Sequence, residues 1–401
     1  MLSTDVVVAG GGVAGLLIAS ALAPEFSVVL LEQADALPRN KYWLTDADAA
    51  EANPDLASCV DMRYDLLDFV AYDGLTATIR GDYCLWDTEK LIEALAATAS
   101  VNGAKILTNH RFYTFTYERN RLAVRANSKT IHTRLFIDCM GFGSPLVGAK
   151  NVAKITGYYL LHGCEVPVIN GIRPIALDNV LVNRNPSFFE LFPTSRGSAH
   201  AALILPSRQH RPERSLPNEF SFIVNQSHYS SQIRRREQPV EKSYFGIVPV
   251  GRLDQPALDR IVFFGEAGQA NPAASATGLT RMLKTYREVA AGLSNCLKTD
   301  SLQRRHLLRA IPPYMSRMNR VFQETLFEAL LSFDSDRFRR LVDELKRYPE
   351  ETVNKLLFAE FDFHGTNAAR LALDSVLRKN SILGKNVLKS ILRYCLRRHL
   401  F

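Results

Sequence analysis

Apolar and polar positions follow two rhythms along this chain. Val6, Val7, Val8 and Ala9 form a short continuous apolar run, as a strand buried on both faces does. Gly10, Gly11 and Gly12 interrupt it, and Leu16 to Leu22 then read as an apolar helix. Val28 to Leu31 predict a second buried strand, closed by Glu32. Phe69 to Ile79 predict a strand or two, and Ala104 to Leu107 and Arg111 to Ala126 alternate like strands. Thr88 to Ser100 predict a helix, capped by Asp87 or Thr88, with Leu91, Ile92, Leu95 and Ala96 as its apolar stripe. Leu135 to Ile137 predict a short buried strand. From about residue 146 to 250, aromatic and β-branched residues alternate with polar ones and prolines punctuate, the pattern of an antiparallel sheet. Ile261 to Phe264 predict a further buried strand and Thr277 to Ala291 a helix, and beyond about residue 300 the pattern is helical.

The first of these joints carries chemistry. Gly10, Gly12 and Gly15, with Val13 and Ala14 between them, have the GxGxxG spacing between a strand and a helix. The first glycine lets the strand turn, the second lets a pyrophosphate approach bare backbone, and the third lets helix and sheet pack closely. Free N–H groups and the helix dipole meet the phosphate charge. Glu32 ends the second strand, in the window where a carboxylate accepts hydrogen bonds from a ribose. A plain glycine turn leaves Glu32 unexplained, so an adenine dinucleotide is expected here.

A second joint sharpens the cofactor. The strand at Ile261 runs into Gly265–Glu266–Ala267, and Asn271–Pro272 and Thr277–Gly278 open the next helix. Two-dinucleotide-domain flavoproteins usually read Gly-Asp-Ala here, where the acid holds the ribityl chain. The following helix N-terminus stabilises negative charge on a reduced flavin. With both segments in order, FAD is favoured over NAD, and Gly265, Glu266, Thr277 and Gly278 join the candidate cofactor residues. Arg39 and Lys41 lie just beyond Glu32 and are candidates for the cofactor phosphates, a solvated loop being an equal alternative.

The expected fold class is α/β, an FAD-binding Rossmann-type (glutathione-reductase-like) domain. An inserted antiparallel substrate domain and a helical C-terminal region complete it. Residues 1–50, 85–145 and 251–295 are expected to share one sheet, 51–84 and 146–250 to form the substrate domain, and 296–401 the helical region. Such construction puts a substrate pocket between cofactor domain and inserted sheet.

Composition adds limits. At 401 residues the chain has room for two or three domains, and no apolar run is long enough to span a bilayer. It runs directly into its first strand, so a cytoplasmic protein is expected. Six cysteines include no CxxC pair and no metal-ligand spacing, which predicts reduced, mostly buried thiols and no metal. Much of the net charge of +8 lies at the C-terminus. Val387, Leu388, Ile391, Leu392, Cys395 and Leu396 recur at helical spacing within 386–401, with Lys389, Arg393, Arg397 and Arg398 between them. A peripheral contact with the inner face of a membrane and a helix packed on its own domain explain that pattern equally. No interleaving of aromatic and basic residues supports nucleic-acid binding.

Taken together, these segments resemble the lycopene cyclase family, within the flavoprotein group of geranylgeranyl reductases and aromatic hydroxylases. The resemblance runs through Tyr42–Trp43–Leu44–Thr45–Asp46, Arg80–Gly81–Asp82–Tyr83, Phe188 to Ser195, Phe245 to Gly251, Gly265 to Gly278 (with Asn271 for the family's histidine) and Tyr348–Pro349–Glu350–Glu351. It implies an acidic pair for ring closure at a place that falls near Ala201, Ala202 and Leu203. No acid occurs between Glu190 and Glu213, so the fold is expected to be kept and the acid chemistry lost.

The expected activity is therefore that of a FAD-dependent oxidoreductase, a monooxygenase or reductase acting on a hydrophobic small molecule, with NADPH or NADH as reductant. His162, His200 and Glu190 are the catalytic candidates. Tyr158, Tyr159, Phe188 and Phe189 suit a pocket wall or a core equally. With only Trp43 and Trp86, the chain lacks the paired tryptophans of flavin halogenases. Two alternatives stand beside this reading. One is a non-redox isoprenoid cyclase using reduced FAD, with Glu190 or Glu266 as the acid. The other is a flavin-binding partner protein without catalysis.

Overall fold

The computed structural model describes residues 2–39, 41–149, 152–169, 171–182, 185–211, 215–226, 233, 243–269, 271–363, 371 and 381–398. The strands are β1 (Leu2–Ala9), β2 (Val28–Leu31), β3 (Trp43–Asp46), β4 (Val60–Val70), β5 (Thr76–Trp86), β6 (Lys105–Leu107), β7 (Phe112–Tyr117), β8 (Leu122–Ala126), β9 (Lys129–Asp138), β10 (Ala153–Pro167), β11 (Ile175–Val182), β12 (Asn185–Pro193), β13 (Ser198–Ser207), β14 (Ser243–Leu253), β15 (Ala257–Leu258) and β16 (Ile261–Phe263). The helices are α1 (Val13–Leu22), α2 (Ala47–Glu51), α3 (Thr88–Val101), α4 (Pro145–Ala149), α5 (Leu216–Gln226), α6 (Gly278–Lys298), α7 (Arg304–Ala310), α8 (Arg317–Leu330), α9 (Ser335–Leu345), α10 (Glu350–Leu357) and α11 (Ile382–Arg398).

Two sheets organise the molecule. The first has the order β15-β16-β9-β1-β2-β6, with the β7–β8 hairpin attached to β9. Pairs β16/β9, β9/β1, β1/β2 and β2/β6 are parallel. The chain leaves β1 toward β2 on one side and returns through β9 on the other. The C-terminal end of β1 is thus a topological switch point, where open α/β sheets bind ligands. Val6, Val8 and Ile137 pack with Leu16, Leu283 and Val289 of α1 and α6 in one core, while Val7, Phe136 and Val124 pack beneath the hairpin in another.

The second sheet has the order β14-β10-β13-β12-β11-β4-β5-β3 and is antiparallel except at β11/β4. Neighbouring side chains on its strands face opposite ways. Phe188 enters the core shared with Phe322, Phe338 and Val342 of the C-terminal helices. Phe189 enters the other, with Phe220 of α5 and Leu203.

One strand lies elsewhere than its sequence neighbourhood suggests. Residues 1–50 were expected to share the first sheet, yet β3 pairs with β5 in the second, Trp43 opposite Trp86. Trp86 is fully buried and its indole N–H donates to Thr45 Oγ at 2.9 Å, a combination of apolar area and satisfied polarity that draws β3 to this sheet.

The C-terminal stripe is half accounted for. Val387 and Ser390 are fully buried, and α11 packs on α8 and α9 with Leu383 and Ile391 in their core. The side chains of 394–398, and residues 399–401, lie outside the described residues, so Cys395, Leu396, Arg397 and Arg398 have no described place. Cys59, Cys84, Cys139, Cys164 and Cys296 are buried free thiols. No helix among the described residues is long and apolar enough to cross a membrane.

Candidate functional site

The glycine turn at the end of β1 opens a cleft of about 410 Å³. Gly10 has φ +107°, and a Cβ there would meet Cys139 O at 2.4 Å. A Cβ on Gly15 would meet Gly10 O at 1.9 Å, so α1 crosses the strand end at a distance only glycine permits. Gly12 is different: a Cβ there meets nothing within 4 Å, because its face is open to the cleft. Val13 and Ala14, in the first turn of α1, share that wall with Gly10 and Gly12, and the turn carries no acid.

Glu32 is buried on the same wall. Its Oε2 accepts from Gly11 N at 2.7 Å and its Oε1 from Ala34 N at 2.9 Å. Each oxygen keeps a second lone pair for an outside donor. Arg39 points away, to Glu89 at 3.3 Å and Glu93 at 2.7 Å on α3. Lys41 stands on the cleft wall, 3.9 Å from Glu266.

The opposite wall comes from the second glycine segment and the turn after β9. Gly265 has φ +68°, and a Cβ there would meet Ala14 Cβ at 2.5 Å, so this turn presses against the first turn of α1. Glu266 follows it onto the cleft wall, where a Cβ on Gly141 would meet its Oε2 at 2.9 Å. Gly141, Phe142 and Gly143, just past Asp138, were missed as site residues. Two glycines directly after a buried strand were the available signal. Burial pushes the Asp138 carboxyl up to about 6, against the pull of bonds from Ser144 Oγ and Met140 N.

Helix α6 starts beside these turns. Thr277 is its N-cap and bonds Leu357 O at 3.2 Å, Gly278 is its first residue, and its first turn carries no acid. Asn271, on the wall of the adjoining cavity, has its Nδ2 buried without a hydrogen-bond partner among the described residues. A ring carbonyl satisfies such a donor. The open face of Gly12, the acid-free helix starts and the Asn271 amide donor fit the diphosphate and ring of FAD.

Beyond the cleft lies a cavity of about 300 Å³, mostly apolar, walled by the second sheet and by α8, α9 and α10. It shares Lys41, Trp43, Ile247, Glu266 and Met282 with the cleft. Phe192, Leu326 and Leu345 are typical of its lining. Glu190 also lines it, accepting from Tyr42 Oη at 2.6 Å. Burial pushes this carboxyl up to about 7 despite the Tyr42 bond. Register places Glu190 of β12 directly opposite Ala202 of β13. His200 stacks on Tyr42, ring centroids 5.0 Å apart, with its Nδ1 buried and without a partner among the described residues. Burial lowers its pKa and keeps the ring neutral. Tyr244 packs edge-on against Tyr42 and lines the cavity, a role its sequence position did not signal.

His162 stands apart. It packs edge-on against Phe220 at 5.4 Å, on the α5 side of the sheet, and burial lowers its pKa. Phe188 and Phe189 are core residues of the two opposite faces. Tyr159 is buried and donates to Ala274 O at 2.8 Å. Tyr158 contacts Phe142 and His210.

Comparison with known proteins agrees with this architecture. The sequence model of the family described as lycopene cyclase protein matches residues 5–372. A geranylgeranyl bacteriochlorophyll reductase-like protein from Thermoplasma acidophilum has a similar structure, with TM-score 0.73 and 15% identity over 97% of this chain and 100% of that one. A flavoprotein/dehydrogenase from Cytophaga hutchinsonii gives 0.70 and 13%, over 98% and 100%. The halogenase PltM, solved in complex with FAD, gives 0.67 and 11%, over 96% and 94%. At these identities the likeness establishes the fold, that of Rossmann-type flavoproteins. No curated protein matches the sequence.

Proposed function

The chain belongs to the lycopene cyclase protein family, and we propose that this member is a FAD-dependent oxidoreductase, a monooxygenase or reductase acting on a hydrophobic small molecule with NADH or NADPH as reductant. One observation carries the reading. The glycine-walled cleft and the apolar cavity share a wall made of Lys41, Trp43, Ile247, Glu266 and Met282, so a ring reaching from the first meets a substrate in the second.

Each part of the chain has a task in this proposal. Gly12 and the first turn of α1 hold the diphosphate, and Glu32 accepts from ribose hydroxyls. Glu266 reaches the polyol chain, and the N-terminus of α6 favours negative charge on the ring. When bound, the flavin supplies the electron and hydride transfer that side chains do not. The cavity lining orients an apolar substrate and excludes water. Glu190, with Tyr42 bonded to it, is the group on that lining able to hold or deliver a proton near neutral pH.

The test is anaerobic reduction of the purified yellow protein by NADH or NADPH, followed by oxygen admission with a stopped-flow absorbance record. A transient hydroperoxyflavin spectrum assigns oxygenation; reoxidation by an unsaturated substrate without oxygen assigns double-bond reduction. A protein that stays colourless and takes up no flavin refutes the proposal.

Glu190 also favours a second reading, a non-redox cyclisation using reduced FAD. Its strand presents a carboxyl beside Ala202, close to where the family resemblance puts the acidic pair. Consumption of NAD(P)H in proportion to product rules that reading out. Substrate-dependent reduction or reoxidation of the flavin rules out a partner protein without catalysis.

A further inference from the structure

We infer that a pocket under the first turn of α8 is a binding site for a phosphate- or diphosphate-bearing organic anion. It is a cavity of about 580 Å³ that shares no lining residue with the cleft or the apolar cavity. Three guanidinium-bearing side chains line it: Arg252 at the end of β14, and Arg317 and Arg320 on α8. Arg317, Arg320 and Glu324 lie three and four residues apart, on one face of the helix. Gln323, Leu326 and Leu330, on other positions, line the apolar cavity, so α8 is a partition between the two spaces.

The charges in this pocket are unevenly matched. Arg252 is paired with Asp254 at 2.8 Å. Arg320 makes no ion pair and no side-chain hydrogen bond among the described residues, although it is partly buried. Burial draws its pKa down, Arg252 and Arg317 draw it down further, and Glu324 and Asp254 oppose them. Arg320 thus keeps its charge partly out of water with no ion pair among the described residues. A partly desolvated, unpaired guanidinium is costly, and a bound anion removes that cost.

The geometry selects the anion's chemistry. A guanidinium presents a planar fork of donors that matches phosphate oxygens. The 14-residue helix α8 points its positive end at the same place, with no acid in its first turn. Pro313, Met315 and Val321 supply an apolar side for the organic group that carries the phosphate. Soluble organic phosphates and anionic lipid headgroups share this chemistry.

The test uses the full-length, flavin-loaded protein in phosphate-free buffer. Inorganic pyrophosphate is titrated by calorimetry and by thermal unfolding, against sodium chloride of equal ionic strength. The expected result is saturable binding and a rise in Tm that the chloride control does not reproduce. Arg320→Gln weakens pyrophosphate binding by about tenfold or more, and raises Tm in anion-free buffer because it removes an unmatched charge. Arg317→Gln, at an exposed position, also weakens binding. Sedimentation with phosphatidylcholine vesicles, with and without phosphatidic acid, separates the sources. Lipid-dependent sedimentation lost in Arg320→Gln assigns a headgroup, and pyrophosphate binding without sedimentation assigns a soluble phosphate. Absence of saturable binding in both arms overturns the inference. So does binding unchanged in both arginine variants, which places the anion outside this pocket.

Discussion

Gly12 and Gly15 are three residues apart and serve opposite purposes. Gly15 is required by the fold, since a side chain there strikes the Gly10 carbonyl. Gly12 faces open space, so the fold tolerates a side chain and a diphosphate does not. Gly12→Val is therefore expected to leave the circular dichroism spectrum and Tm nearly unchanged and to abolish flavin retention, read from the visible absorbance. Glu190 makes a second case. Its carboxyl lies at about 7 in the folded chain against an ordinary 4.5, so ionisation opposes folding. The penalty is absent below about pH 4.5, grows as the pH rises toward 7, and is complete above it. Glu190→Gln removes it. The variant's Tm is expected to exceed that of the parent at pH 8 and to converge with it near pH 4. If Glu190 delivers the proton in turnover, parent activity also falls as the pH rises through 7 and the variant's does not. The packing role of Gly15 was legible in the spacing, because it is a backbone requirement. The environment of Glu190 was not, since Tyr42 and Tyr244 reach it from distant parts of the chain.

Among the elements, the start of α11 is capped by a side chain of another helix. Glu344 of α9 is buried, and its carboxylate accepts from Ile382 N at 2.7 Å, from Leu383 N and from Ser381 Oγ. It thus caps a helix in another part of the chain, where the helix N-terminus favours negative charge. Glu344→Ala leaves these donors without their partner and is expected to cost about 2 kcal/mol. Hydrogen exchange should accelerate first at residues 382–390. Leu383 lines the apolar cavity, so loosening α11 also opens that wall. The loop between β2 and β3 shows where local reading stops. Arg39 was the basic residue expected at the cofactor, with a solvated loop an equal alternative, because an irregular segment has no periodicity to say which side chain faces inward. Glu89 and Glu93, four apart on α3, capture Arg39 and leave Lys41 on the cleft.

Across the molecule, the apolar cavity exists because the C-terminal helices close over one face of the second sheet. Its lining draws on segments from Lys41 to Leu383. Leu326→Trp places a large ring in that space from the cavity face of α8. It is expected to weaken binding of an apolar fluorescent probe by about tenfold, with flavin absorbance and Tm nearly unchanged, because Leu326 is not on the wall that the cavity shares with the glycine cleft. A parallel loss of flavin contradicts that separation.

Local order was enough for the α/β class, the glycine joints and the acid at the end of β2, since strand, turn and helix there are contiguous and each glycine answers to backbone sterics. It was also enough for the family, whose segments recur in sequence order. Long-range packing settled the rest: β3 joins the second sheet, His162 lies on the far side of that sheet, and Glu190 enters an apolar cavity. Those outcomes depend on strand register and on which distant helix covers which face, and neither is written in the neighbouring residues.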